Sequence, residues 1–156
     1  MQLQAVNGKR SIEKFEGIRR FAIPDLQTHG GWVLNRLQKI YPHLHEVALA
    51  SYLQSMVDNN DFLFLYQPNS IALVQLERGY TVSPRPVVRE RYVFARDPGN
   101  SEHVAEAATF YDHIKQWARH LEVEFVILSD MSDVPIDKIK MYLGKTFEKQ
   151  VTYARV

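Results

Sequence analysis

A chain of 156 residues that is 46% hydrophobic and 24% charged, with only 7 Gly and 7 Pro, can bury one core unaided, which excludes collagenous, coiled-coil and disordered chains. The absence of cysteine removes thiol nucleophiles, disulfides and thiolate-held zinc or iron–sulfur centres, so any chemistry rests on oxygen and nitrogen groups. A net charge of +1 gives no global pull on nucleic acid, and no apolar run approaches the about 20 residues that span a bilayer, so neither nucleic acid nor membrane is an expected partner.

The N-terminus lacks the basic start and apolar stretch of a secretory leader, and the cytoplasm is the expected setting. A strand is possible within residues 1–22. From Gly30 and Gly31, apolar residues at Trp32, Val33, Leu34, Leu37 and Ile40 recur at helical spacing and stop before Pro42, predicting a first helix. Val47, Ala48, Tyr52, Leu53, Met56 and Val57 predict a second, ended by Asn59 and Asn60.

The period then changes to that of strands. Residues 61–66 and 71–77 are β-rich runs joined by the turn-forming stretch 67–70, and a third run, 86–96, follows a loop at 79–85. Residues 97–100 break it, and Ser101 suits a helix N-cap. Val104, Ala107, Ala108, Tyr111, Ile114, Ala118 and Leu121 then mark one helix of about five turns. A strand at 123–128, a polar loop at 129–133, a short helix carrying Ile136, Ile139 and Leu143 with Pro135 in its first turn, and a last strand at 147–154 complete one domain.

Four groupings could carry chemistry. The junction of the strand 86–96 with the following helix offers free amides and a positive helix end, suited to phosphate or to an ordinary capped turn. Glu90 reads as a base or as a solvated cross-strand partner of a neighbouring arginine. Arg78, Arg85, Arg89, Arg91 and Arg96 form a basic stretch that Glu77 and Glu90 interrupt, and strand alternation spreads it over both sheet faces. The six histidines include no helical pair four apart among His103, His113 and His120, so no metal is expected.

The order of elements, with the passage 116–128 from helix into strand and Tyr142 five residues before Phe147, resembles the GNAT superfamily of acyl-CoA N-acyltransferases across nearly the whole chain. The resemblance implies a single α/β domain with a mixed, mostly antiparallel sheet flanked by helices, splayed between its fourth and fifth strands. It implies acetyl-CoA as cosubstrate, no metal, and an amine acceptor, small-molecule or protein-borne; a homodimer is left open.

It also implies site residues. Backbone groups of Val93, Phe94 and Ala95 would hold the pantetheine arm. The family's phosphate motif fits two registers: Arg96-Asp97-Pro98-Gly99-Asn100-Ser101, with Ser101 where the family has a small residue, or Glu102-His103-Val104-Ala105-Glu106-Ala107, with Glu102 in place of a basic residue. Helix length counted back from Trp117 favours the second. Tyr142 aligns with the general acid, a phenol suited to protonating a thiolate. The base is Glu90, with Glu77 and Asp130 as alternatives. Thr146 stands where the family has glycine. Two functions follow: acetyl transfer to a primary amine, or an interaction protein that keeps the fold and has lost CoA binding.

Overall fold

The computed structural model describes residues 3–6, 9–12, 18–20, 22–57, 59–78, 86–123, 125–129, 131–144 and 153–155. Asp130, Arg85, Thr146, Phe147 and the loop 79–85 lie outside the described residues.

Among the described residues three strands precede the first helix, where the sequence suggests one. β1 (Leu3–Val6) and β2 (Lys9–Ile12) pair as an antiparallel hairpin, and β3 (Arg19–Arg20) joins the main sheet. Helix α1 (Ile23–Ile40) begins seven residues before the expected Gly30. Pro24 sits in its first turn and the Asp25 carboxylate accepts from Ala22 N–H at 2.7 Å, so a proline and an acid start a helix that the apolar stripe alone does not reveal. α2 (Glu46–Val57) follows as expected.

The main sheet runs β3-β4-β5-β6-β7-β8, with β4 (Phe62–Gln67), β5 (Ser70–Glu77), β6 (Val87–Ala95), β7 (Phe125–Ile127) and β8 (Tyr153–Arg155). All neighbours are antiparallel except β6 and β7, which run parallel. β4 and β5 meet through the two-residue turn Pro68 and Asn69, β6 and β7 match the predicted runs with shorter ends, and β8 overlaps the end of the run 147–154, of which 147–152 lie outside the described residues.

The long helix is interrupted. α3 (Ser101–Ala108) and α4 (Phe110–His120) part at Thr109, whose hydroxyl donates to Glu106 O at 2.6 Å while Gln67 Nε2 donates to the same carbonyl at 2.9 Å. Two side-chain donors take a carbonyl that would otherwise serve the helix ladder. The N-cap is Asn100, one residue before the expected Ser101: its Oδ1 accepts from Glu102 N at 2.9 Å and His103 N at 3.3 Å. α5 (Ile136–Leu143) has Pro135 as its N-cap.

Two cores cover the two faces of the sheet. Val33, Leu37, Leu49, Leu53 and Met56 of α1 and α2 pack on Phe64, Ile71, Leu73, Tyr92 and Phe94. Tyr111, Ile114, Trp117 and Ala118 of α4, with Ile139 and Leu143 of α5, pack on Leu65, Val74, Val88, Val93 and Ala95. The parity on β6 changes midway. Leu73 opposes Tyr92 but Val74 opposes Glu90, leaving Arg91 as an extra, bulged residue. Val88 and Glu90 therefore share a face with Val93 and Ala95, which strict alternation would place opposite.

Candidate functional site

β6 and β7 pair only at Val88 with Val126 and Arg89 with Ile127. Beyond that point they part, and they meet again at a parallel bridge between Val93 and Ser132. Three residues of β6 then face four of the segment leaving β7, and the gap is filled from below by α4.

The gap holds a polar cluster. Tyr111 O–H donates to Glu90 Oε1 at 2.7 Å, Ser129 N–H donates to Glu90 Oε2 at 3.2 Å, and Ser132 Oγ lies 2.7 Å from the Tyr111 oxygen. With Glu90 ionised, Tyr111 gives its proton to the carboxylate, so Ser132 is the donor to Tyr111. Glu90 is 1% exposed, and burial pushes its carboxyl up from 4.5 to about 7 against the opposing pull of the Tyr111, Ser129 and Ser132 donors. Burial, and then the Glu90 charge, push the Tyr111 phenol well above its ordinary value.

The reading of Glu90 as a solvated partner of an arginine is thus overturned. Glu77, itself buried, is the carboxylate that pairs with the arginines: Arg89 Nε donates to its Oε1 at 2.8 Å and Arg91 reaches the same oxygen at 3.4 Å, with Arg91 Nε also donating to Gln75 at 2.8 Å. Alternation puts Arg89 and Arg91 on one face with Gln75 and Glu77, and the bulge turns Glu90 to the face of Val93 and Ala95. Arg78 pairs with Asp61 at 3.4 Å. Within the sheet, Arg89 and Arg91 thus share one carboxylate on one face.

Above the polar cluster, the edge of β6 is covered by the chain itself. Val93 N–H donates to Met131 O at 3.3 Å, Val93 O accepts from Asp133 N–H at 2.9 Å, and Ala95 N–H donates to Asp133 Oδ2 at 2.9 Å. Ala95 O accepts from Arg36 Nη1 at 3.3 Å, and the other Arg36 terminal nitrogen makes an ion pair with Asp133 Oδ1. The Arg36 guanidinium also lies over the Phe94 ring, 4.7 Å from its centroid. Strand alternation aims the main chain of Phe94 at β5, where it opposes Ile71. The expected splay is accordingly bridged: strands that separate at Glu90 close again at Val93.

The junction with α3 is also internally bonded. Arg96 to Asn100, from the first register, form the turn, whereas Glu102, His103 and Ala105, from the second, lie in α3. Arg96 N–H donates to Asn69 O, Asp97 N–H to His103 Nδ1 and Gly99 N–H to Asp97 Oδ1, at 2.8, 3.2 and 3.0 Å. Asn100 N–H donates to Asp97 O at 3.0 Å.

An extended pantetheine arm needs N–H and C=O groups free on a strand edge, and a diphosphate needs free amides. Here the edge groups of Val93 and Ala95 are paired, and the turn presents amides capped by Asp97 and Asn100 beside the acid Glu102. A pantetheine arm would have to displace the bonds that Val93 and Ala95 already make.

Tyr142 sits half-buried on α5, its ring packed on the α4 core and its carbonyl accepting from Lys115 Nζ at 3.3 Å. Among the described residues no hydrogen bond joins it to Glu90. Sequence reasoning misses Arg36, Tyr111 and Asp133. Tyr111 is read only as an apolar-stripe residue, and nothing local distinguishes Arg36 or Asp133 from surface charges. No group of three or more His, Asp or Glu that could hold a metal ion occurs among the described residues, and none of their helices is long and apolar enough to cross a membrane.

On the opposite face a cleft of about 200 Å³ opens between α1, α2 and β6, lined by Leu37, Tyr41, Leu49, Tyr52 and Tyr92. The Tyr41 and Tyr92 hydroxyls lie 3.1 Å apart, and burial followed by this contact raises the Tyr92 phenol above its usual range. Leu44, Val47 and Tyr52 are exposed nearby.

Solved structures share this architecture. A probable acetyltransferase superposes with a TM-score of 0.64 at 11% identity, covering 85% of this chain and 91% of that one. An acetyltransferase of the GNAT family from Listeria monocytogenes 4b F2365 gives 0.58 at 6% identity, covering 99% and 100%. The fold is that of the GNAT acyl-CoA N-acyltransferases. An aminoglycoside acetyltransferase from an uncultured soil metagenomic sample gives 0.57 at 14% identity, covering 85% and 90%. No protein-family model and no curated protein matches the chain. At such identities the GNAT likeness is one of fold, and function is argued from the site.

Proposed function

We propose that this chain is a GNAT-fold binding module that works without acyl-CoA. The observation that supports this reading is the β6 edge, where both main-chain groups of Val93 and both of Ala95 are already bonded to residues 131–133 and Arg36. A pantetheine arm would exchange those bonds for bonds of the same kind, an exchange with little net gain, and would also break a shielded ion pair. The tyrosine-lined cleft on the α1–α2 face is one concavity among the described residues that is open to a ligand. Calorimetric titration with acetyl-CoA and with CoA, together with thermal melts, tests the proposal. No saturation up to millimolar ligand and no change in Tm are expected. Binding at about 100 times Kd would add about 2.7 kcal/mol, and a saturable isotherm or the matching rise in Tm would overturn the reading.

The second reading is acetyl transfer to a primary amine, with Glu90 as base and Tyr142 as acid. Glu90 favours it, as a carboxyl pushed up to about 7 where the strands part. It requires residues 131–133 and Arg36 to leave the edge first.

A further inference from the structure

Two elements distant in sequence converge on the β6 edge. Arg36 belongs to α1, Asp133 to the segment between β7 and α5, and 97 positions separate them. Their side chains are 24% and 11% exposed, so the pair is shielded in a way that surface ion pairs are not. Asp133 serves the edge twice, donating its N–H to Val93 O and accepting from Ala95 N–H through its carboxylate. Such alternation of donor and acceptor is what an extended, amide-bearing ligand would present to a strand edge. Arg36 completes the set at Ala95 O and is held in place by the Phe94 ring. Ser132, between Met131 and Asp133, is tied below to Tyr111 and accepts from Val134 N–H at 3.1 Å.

We propose that Arg36 and Asp133 form a latch that determines what this fold can bind: they occupy the strand edge in the manner of an extended amide-bearing arm, and releasing them opens Val93 and Ala95 to a ligand of pantetheine type. The inference rests on the reading given under the proposed function. The core does not require the latch, because the buried side chains of Val93 and Ala95 pack against the α4 side whatever bonds their main chains make.

Two variants open the edge by different routes. Asp133→Pro removes the N–H and the carboxylate together. The double variant Arg36→Ala with Asp133→Ala frees both Ala95 groups and leaves the Met131 to Ser132 backbone in place, so it carries the test if the proline disrupts folding. The unmodified chain and both variants are titrated with pantetheine and with CoA by calorimetry, while NMR follows hydrogen exchange and ligand-induced shifts of the Val93 and Ala95 amides. Faster exchange at the freed amides is expected in the variants, at Ala95 in both, with a gain in pantetheine affinity of about tenfold or more over the unmodified chain for two freed groups. Pantetheine is expected to shift the Ala95 amide signal. An Ala95 amide that stays protected, or opened variants that bind no better than the unmodified chain, would overturn the latch. CoA binding by the unmodified chain would overturn the proposed function instead, so the two failures are distinguishable.

Discussion

Replacing Glu90 with glutamine turns the buried cluster into a measurable pH dependence. In the folded chain the carboxyl titrates at about 7, against 4.5 for the free group. Between those values the folded state holds a proton that the unfolded state has released, so stability falls as pH rises through this window and levels off above it. Each tenfold in proton affinity is worth about 1.4 kcal/mol, so the total is about 3 kcal/mol. Glu90 is fully enclosed, and solvent screening takes little from that figure. Urea denaturation of the wild type and Glu90→Gln at pH values from 4.5 to 8.5 provides the comparison, since titrations common to both proteins cancel in the difference. The glutamine NH₂ opposes Ser129 N–H or Tyr111 O–H, which adds a constant offset and leaves the slope untouched. The wild type should lose about 3 kcal/mol relative to the variant between pH 4.5 and 8.5. Parallel profiles, or a wild type that gains relative stability as pH rises, would refute the argument that burial outweighs the three donors.

Tyr111→Phe removes the 2.7 Å donor to Glu90 while keeping the ring, and should cost about 1–3 kcal/mol above pH 7, where the carboxylate is left short of a partner, and less near pH 5. Denaturation at the two pH values checks this difference. Asn100→Ala should cost about 1–2 kcal/mol, because one side chain caps two amides of α3, whereas Ser101→Ala should change stability by no more than about 0.5 kcal/mol. Equal losses at the two positions would place the cap where the sequence suggests it.

The local signals were strong where the physics is local. Apolar residues at helical spacing mark α2, α4 and α5, and β-rich runs bounded by turn formers mark β4, β5 and β6, because periodicity reports which face of an element is buried without reference to its partners. Order then led to the GNAT fold. The start of α1 was legible in principle, since Pro24 and Asp25 form a helix-start signal, but it lies ahead of the apolar stripe. The break at Thr109 was not, because it depends on Gln67 of another strand reaching the Glu106 carbonyl. The tertiary structure alone decided the character of the site. One bulged residue, Arg91, reverses the parity of β6, sending Glu90 inward to Tyr111 and leaving Glu77 to the arginines. The pairing of Arg36 with Asp133 spans 97 positions and is written in no local pattern. Side-chain type and spacing fix which elements form, but the partners of buried charges and strand edges are set by packing between distant segments.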